Sequence, residues 1–87
     1  MKEAYLNVKE ADSRIKITED GRKAGRALVA LSTANFEFGI GEPQDIFLGL
    51  SNYTRAANDY YEAVKDYNIA LAKLSLIVGE EIGRAHV

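Results

Sequence analysis

Ile46, Leu50, Tyr53, Ala57, Tyr60, Val64, Tyr67, Leu71, Leu74 and Val78 follow one another at alternating steps of four and three. Apolar and aromatic residues held on that period for nearly five heptads require a long helix packed in coiled-coil fashion. The helix is expected over 43–79, with Gly79 as its natural stop. Beside this seam runs a second heptad series of small residues, Gly49, Ala56, Ala63 and Ala70. Small side chains admit a close helix backbone, so neighbours are expected on more than one side. With the seam buried inside a hairpin, the small-residue stripe would need a further helix to cover it. A third series, Phe47, Thr54, Tyr61, Asn68 and Ser75, reads as half-exposed. Arg55, Asp59, Glu62, Lys65, Asp66 and Lys73 form a solvated face.

The break before this helix is "FGIGEPQD", Phe38 to Asp45, which holds the only proline of the chain. Proline suits the first helical position, where its missing N–H would be unpaired anyway. Asp45 then meets the positive end of the helix dipole. Gly39 and Gly41 supply the positive φ that a reversal needs. The first half is less regular. Ala4, Val8, Ala11 and Ile15 make one heptad run, and Asp20, Ala24, Ala27, Leu31, Ala34 and Phe38 make another. "TEDGR" between them offers no apolar seam, and Gly21 and Gly25 each cost about 1 kcal/mol against alanine in a helix interior. The expectation is one long helix over 1–38, a tip turn at 39–42 and a second long helix over 43–79. The fold class is therefore all-α, a long antiparallel helical hairpin.

Composition narrows the chemistry. A net charge of −2 and a pI near 5.3 give nucleic acid no basic face to bind. No apolar run approaches the roughly 20 residues of a membrane-spanning helix, and "MKEAYLNVKEADSR" lacks a signal-peptide core. Without cysteine there is neither a disulfide nor a thiolate metal site. His86 is the only histidine, so no histidine metal cluster and no Ser–His–Asp set can be assembled. Glu62 and Asp66, one turn apart, read as a wet helix face rather than a cation site. Gly39-Ile40-Gly41 lacks the remaining elements of a phosphate loop. Tyr53, Tyr60 and Tyr67 read as core with hydroxyls at the edge rather than as a stacking surface. Neither an enzyme nor a cofactor or metal is expected.

Phe36-x-x-Gly39-x-Gly41-x-x-x-Asp45-Ile46, followed by a long helix ending "DYNIALAKLSLIVG", resembles the C-terminal part of TolC-like outer-membrane efflux proteins. Asp66, Tyr67, Asn68, Ala70, Leu71, Leu74 and Gly79 match the family's closing stretch. The resemblance covers Ala24 to Gly79 and extends back toward Lys2. It implies a piece of a homotrimeric channel-tunnel with an outer-membrane β-barrel and a periplasmic helical barrel. The implied partners are a periplasmic adaptor and an inner-membrane pump. It places this segment in the periplasm, with Asp45 near the tunnel entrance. Gly39, Ile40, Gly41 and Glu42 would form the tip that docks the adaptor, and the seam from Ile46 to Leu74 would pack helices. Two departures stand out: Phe36 replaces a common tyrosine, and Gly41-Glu42-Pro43 makes a stiffer, more acidic tip.

The closing "EIGRAHV", Glu81 to Val87, is what one frame of a widely used sequencing-adapter oligonucleotide encodes. The tail 80–87 is accordingly read as non-native and the chain as a truncated piece. The alternative function is a free-standing helical-hairpin interaction module.

Overall fold

The computed structural model describes residues 2–86; Met1 and Val87 lie outside it. Two helices, α1 (Lys2–Glu37) and α2 (Pro43–His86), fold back on one another as an all-α antiparallel hairpin. The rod measures 73 × 14 × 13 Å. At about 1.5 Å per residue the helices are about 54 and 66 Å long. α1 runs unbroken through Gly21 and Gly25, so the glycine cost is absorbed by helix on either side.

The contacts fix the register. Arg14 Nη1 reaches Asp66 Oδ2 at 3.3 Å across the two helices. Val29 lies against Gly49, and Tyr53 against Gly25. By that register Lys2 is level with the stretch just before Gly79, so the end of α2 overhangs. Gly79 and Gly83 have nothing within 4 Å of where a Cβ would sit, and residues 80–84 are exposed. α2 does not stop at Gly79 but continues to His86. The Glu80, Glu81 and Arg84 that follow sustain a helix well, and one glycine without packing duties does not end it.

The interface itself departs from expectation on both helices. On α2 the face toward α1 combines half of the expected seam with the small-residue stripe. Ile46, Tyr53, Tyr60, Tyr67 and Leu74 alternate there with Gly49, Ala56, Ala63 and Ala70, all buried or half-buried. The other half of the seam sits at the edge. Leu50 and Leu71 are 43% and 40% exposed, and Ala57, Val64 and Val78 are half-buried. The stripe's neighbour is therefore α1, and no further helix is needed to cover it. Close approach is the physical reason. Small residues let α1 settle deep, and the face with least bulk pairs most closely.

On α1 the run Ala4, Val8, Ala11, Ile15 continues at the same four-and-three steps through Thr18, Arg22, Gly25, Val29 and Ser32. All nine are buried or half-buried. The second expected run points away: Asp20, Ala24, Ala27, Leu31 and Phe38 are exposed, and only Ala34 is half-buried. Polar residues in the seam are tolerated because they bond locally. The Thr18 hydroxyl donates to the Arg14 carbonyl at 2.7 Å, and Thr33 beside the seam donates to Val29 at 2.8 Å.

The result is a thin core. Among the described residues Ala11 and Ala63 are the buried apolar side chains, Ser32 is buried against Gly49 toward the tip, and no large side chain is fully enclosed. Among the described residues sixteen large apolar side chains stay exposed, which makes this hairpin a poor candidate for a self-sufficient fold.

Candidate functional site: the tip and its polar layer

The turn is built from backbone hydrogen bonds. α1 ends in a Schellman motif: Gly39 N–H donates to the Phe36 carbonyl at 3.0 Å and Ile40 N–H to Asn35 at 2.9 Å. Gly39 takes the left-handed conformation this motif requires, with φ of 78°. Gly41 N–H donates to the same Asn35 carbonyl at 3.0 Å. A Cβ on Gly41 would lie 3.0 Å from the Asn35 Cβ, so the chain passes too close for a side chain. Of the two glycines expected at positive φ only Gly39 adopts it; Gly41 does not, and its lack of a side chain instead avoids crowding Asn35 and Phe36.

α2 begins with a reciprocal cap. Glu42 N–H donates to Asp45 Oδ2 at 3.4 Å, and Asp45 N–H donates to the Glu42 carbonyl at 3.0 Å. Gln44 Nε2 donates to Glu42 Oε2 at 2.8 Å. Asp45 is exposed, in the first turn of α2.

The apolar side chains of the tip are not used by the turn. Phe38 and Ile40 are 81% and 78% exposed, and Phe47 and Leu48 are largely exposed nearby. From Ala27 to Thr54 the chain carries Glu37, Glu42 and Asp45 and no lysine or arginine. The tip is an apolar surface edged by carboxylates. A groove of about 280 Å³ on one flank is lined by Leu28, Leu31, Asn35, Asp45, Leu48 and Asn52. The structure therefore brings Gly39, Ile40, Gly41, Glu42 and Asp45 together at one end of the rod. Of the expected packing residues, Ile46, Tyr53, Tyr60, Tyr67 and Leu74 face α1, whereas Leu50, Ala57, Val64 and Leu71 line the outer edge.

Sequence reasoning missed a polar layer midway along the rod. Arg22 occupies a seam position and lies over the Tyr60 ring, 5.2 Å from its centroid. Its Nη2 donates to Glu19 Oε1 at 2.8 Å. The Arg22 hydrogen bond holds the Glu19 carboxyl below its usual range against partial burial, with the Arg22 and Lys23 charges adding to it. The same bond raises Arg22. The signal was available in Arg22 continuing the Ala4–Ile15 period opposite a tyrosine seam.

A carboxyl lowered on folding stabilises above its unfolded pKa and loses that contribution as pH falls through the folded value. Acidification below about pH 4.5 is thus expected to lower the stability of the folded hairpin. Arg22→Leu removes the partner and should flatten the part of that acid response due to Glu19. Thermal melts of both chains between neutral pH and pH 3 check this; equal acid responses would contradict it.

Three glycine changes give contrasting outcomes. Gly39→Ala places a side chain at positive φ and is expected to cost about 1–2 kcal/mol. Gly41→Ala should also destabilise by forcing Asn35 aside. Gly21→Ala, where nothing lies within 4 Å, should instead stabilise by about 0.5–1 kcal/mol. Melts at one protein concentration would show the opposite signs.

Among the described residues no group of three His, Cys, Asp or Glu side chains could hold a metal ion. No helix among them is long and apolar enough to cross a membrane. No protein-family model, no curated protein and no solved structure matches this chain.

Proposed function

We propose that this chain is the tip-bearing hairpin of a TolC-like outer-membrane efflux channel, part of its periplasmic tunnel. In this reading Gly39, Ile40, Gly41 and Glu42 form the surface that docks a periplasmic adaptor, and Asp45 lies at the tunnel entrance. The complete protein is a homotrimer that passes small molecules or proteins outward after hand-over from an inner-membrane pump. The observation that carries the reading is the pairing of a 73 Å rod with apolar side chains left exposed along its sides and at its tip. A barrel stave needs neighbours along its length and a partner at its end, and this rod offers surface for both. The resemblance of the tip and closing motifs supplies the family.

Sequencing the DNA on both sides of this frame tests it. The reading expects an upstream signal peptide and period-two strand patterns, and a downstream frame in which 80–87 is replaced. Stop codons closely flanking the frame would sink it and favour a free-standing interaction module.

A further inference from the structure

We infer that the Glu19–Arg22 pair, closed over the Tyr60 ring, decides which of two seams α2 turns toward α1. The two seams share one column, Ile46, Tyr53, Tyr60, Tyr67 and Leu74. Gly49, Ala56, Ala63 and Ala70 complete the seam in use, and Leu50, Ala57, Val64, Leu71 and Val78 would complete the other. Neighbouring columns of a heptad helix stand about 50° apart, so one small turn of α2 exchanges the seams. Two forces oppose each other here. The small column lets the backbones come close, whereas the bulkier column would take more apolar surface out of water. Neither property of α2 alone compels the choice.

The polar layer lies where the choice is made. Arg14 meets Asp66 on one flank of the hairpin, and Tyr5 and Val78 line one groove on the other. Glu19 repeats Tyr5 two heptads on, so it shares the flank of Ala57 and Val64. Arg22 grips it through two hydrogen bonds, Nη2 to Oε1 at 2.8 Å and Nε to Oε2 at 3.4 Å, with the guanidinium 5.2 Å from the centre of the Tyr60 ring. Turning α2 to the bulkier seam would carry Tyr60 off Arg22 and bring Ala57 and Val64 over it. The guanidinium would then lose the ring and its remaining water together, against side chains that offer no acceptor. Arg22 and Glu19 are 21% and 24% exposed, against 48% and 40% for Arg14 and Asp66, so this pair has more to lose from a changed neighbour. The layer acts on which faces meet more than on how tightly they hold.

The inference concerns the hairpin alone and holds with or without the tunnel reading. The chain has no cysteine, so one introduced thiol reports one position. Ala70→Cys puts it on the seam in use, and Leu71→Cys puts it on the spare seam at the same level of the rod. Alkylation rates of the full chain, each divided by its rate in denaturant, measure which position is covered. With the layer intact, position 71 should react at least about fivefold faster than position 70. Arg22→Leu should bring that ratio to one or below, with helix content by circular dichroism retained. Arg22→Lys, which keeps a cation at the ring, should hold the ratio near the parent's. A ratio unchanged in Arg22→Leu, or an equal fall in both variants, overturns the inference. So does loss of helix in Arg22→Leu, because a layer that only chooses between seams can be removed without unfolding.

Discussion

Replacing Ala63 with leucine is expected to lower the melting temperature of the hairpin far more than replacing its neighbour Glu62 with lysine. Ala63 is fully enclosed, with 0% of its surface exposed, on the face where α1 comes closest. Positions farther along the same interface show how closely the helices pass: a Cβ on Gly49 would already touch Val29, and one on Gly25 would lie 3.2 Å from the Tyr53 Cα. Three more carbons cannot enter without pushing the helices apart. Overpacking of this kind costs about 1–3 kcal/mol. For a chain of this size each kcal/mol shifts the melting temperature by about 4–8 °C, so a loss of the order of 5–20 °C is expected. Glu62 is exposed, and a single surface charge there should stay within about 0.5 kcal/mol. Circular dichroism melts at one concentration separate the two. Equal shifts would mean that the α1–α2 spacing yields to a larger side chain.

That result would also locate the stripe's partner. Its heptad spacing was legible in the sequence, and so was the need for a close helix; which helix was not. Two apolar series lay side by side on α2, and bulk hydrophobicity favoured the larger, with Leu50, Val64 and Leu71. The hairpin instead centres on Gly49, Ala56 and Ala63, because a small-residue groove accepts the tyrosines and the partner backbone at shorter range. On α1 the same preference misled more strongly. Ala24, Ala27 and Leu31 made an attractive apolar run, yet the buried series passes through Thr18, Arg22, Gly25 and Ser32. Arg22 is compatible with the seam because Glu19 and the Tyr60 ring meet its guanidinium. Such pairing depends on what lies across the interface and cannot be read from one helix alone. The turn was the most legible part. Gly39 at positive φ, Pro43 at the helix start and Asp45 in the first turn each follow from local stereochemistry that needs no partner.

In the channel proposed above, Asp45→Asn is expected to change cation selectivity and conductance while leaving assembly near normal. Asp45 has one role visible in the hairpin: its carboxylate accepts the Glu42 N–H at 3.4 Å and sits at the positive end of the α2 dipole. Such a contribution is worth about 0.3–1 kcal/mol at an exposed site. Asparagine keeps the size and an accepting oxygen, so the cap should lose only part of that. The proposed tunnel adds a second role. Three copies of Asp45 around a narrow entrance would create a ring of negative potential, which draws cations inward and repels anions. Glu42 and Glu37 lie nearby in sequence, and no basic residue between Ala27 and Thr54 offsets them, so the ring would be strongly acidic. Removing three charges at once should therefore act on ion flow far more than on stability. Planar-bilayer recordings across a range of salt decide between the roles, since screening weakens the field as salt rises. Cation selectivity lost at low salt, with parent-like trimers on a sizing column, is the expected outcome. Conductance and selectivity equal to the parent at every salt concentration would leave Asp45 as a helix-start residue and nothing more.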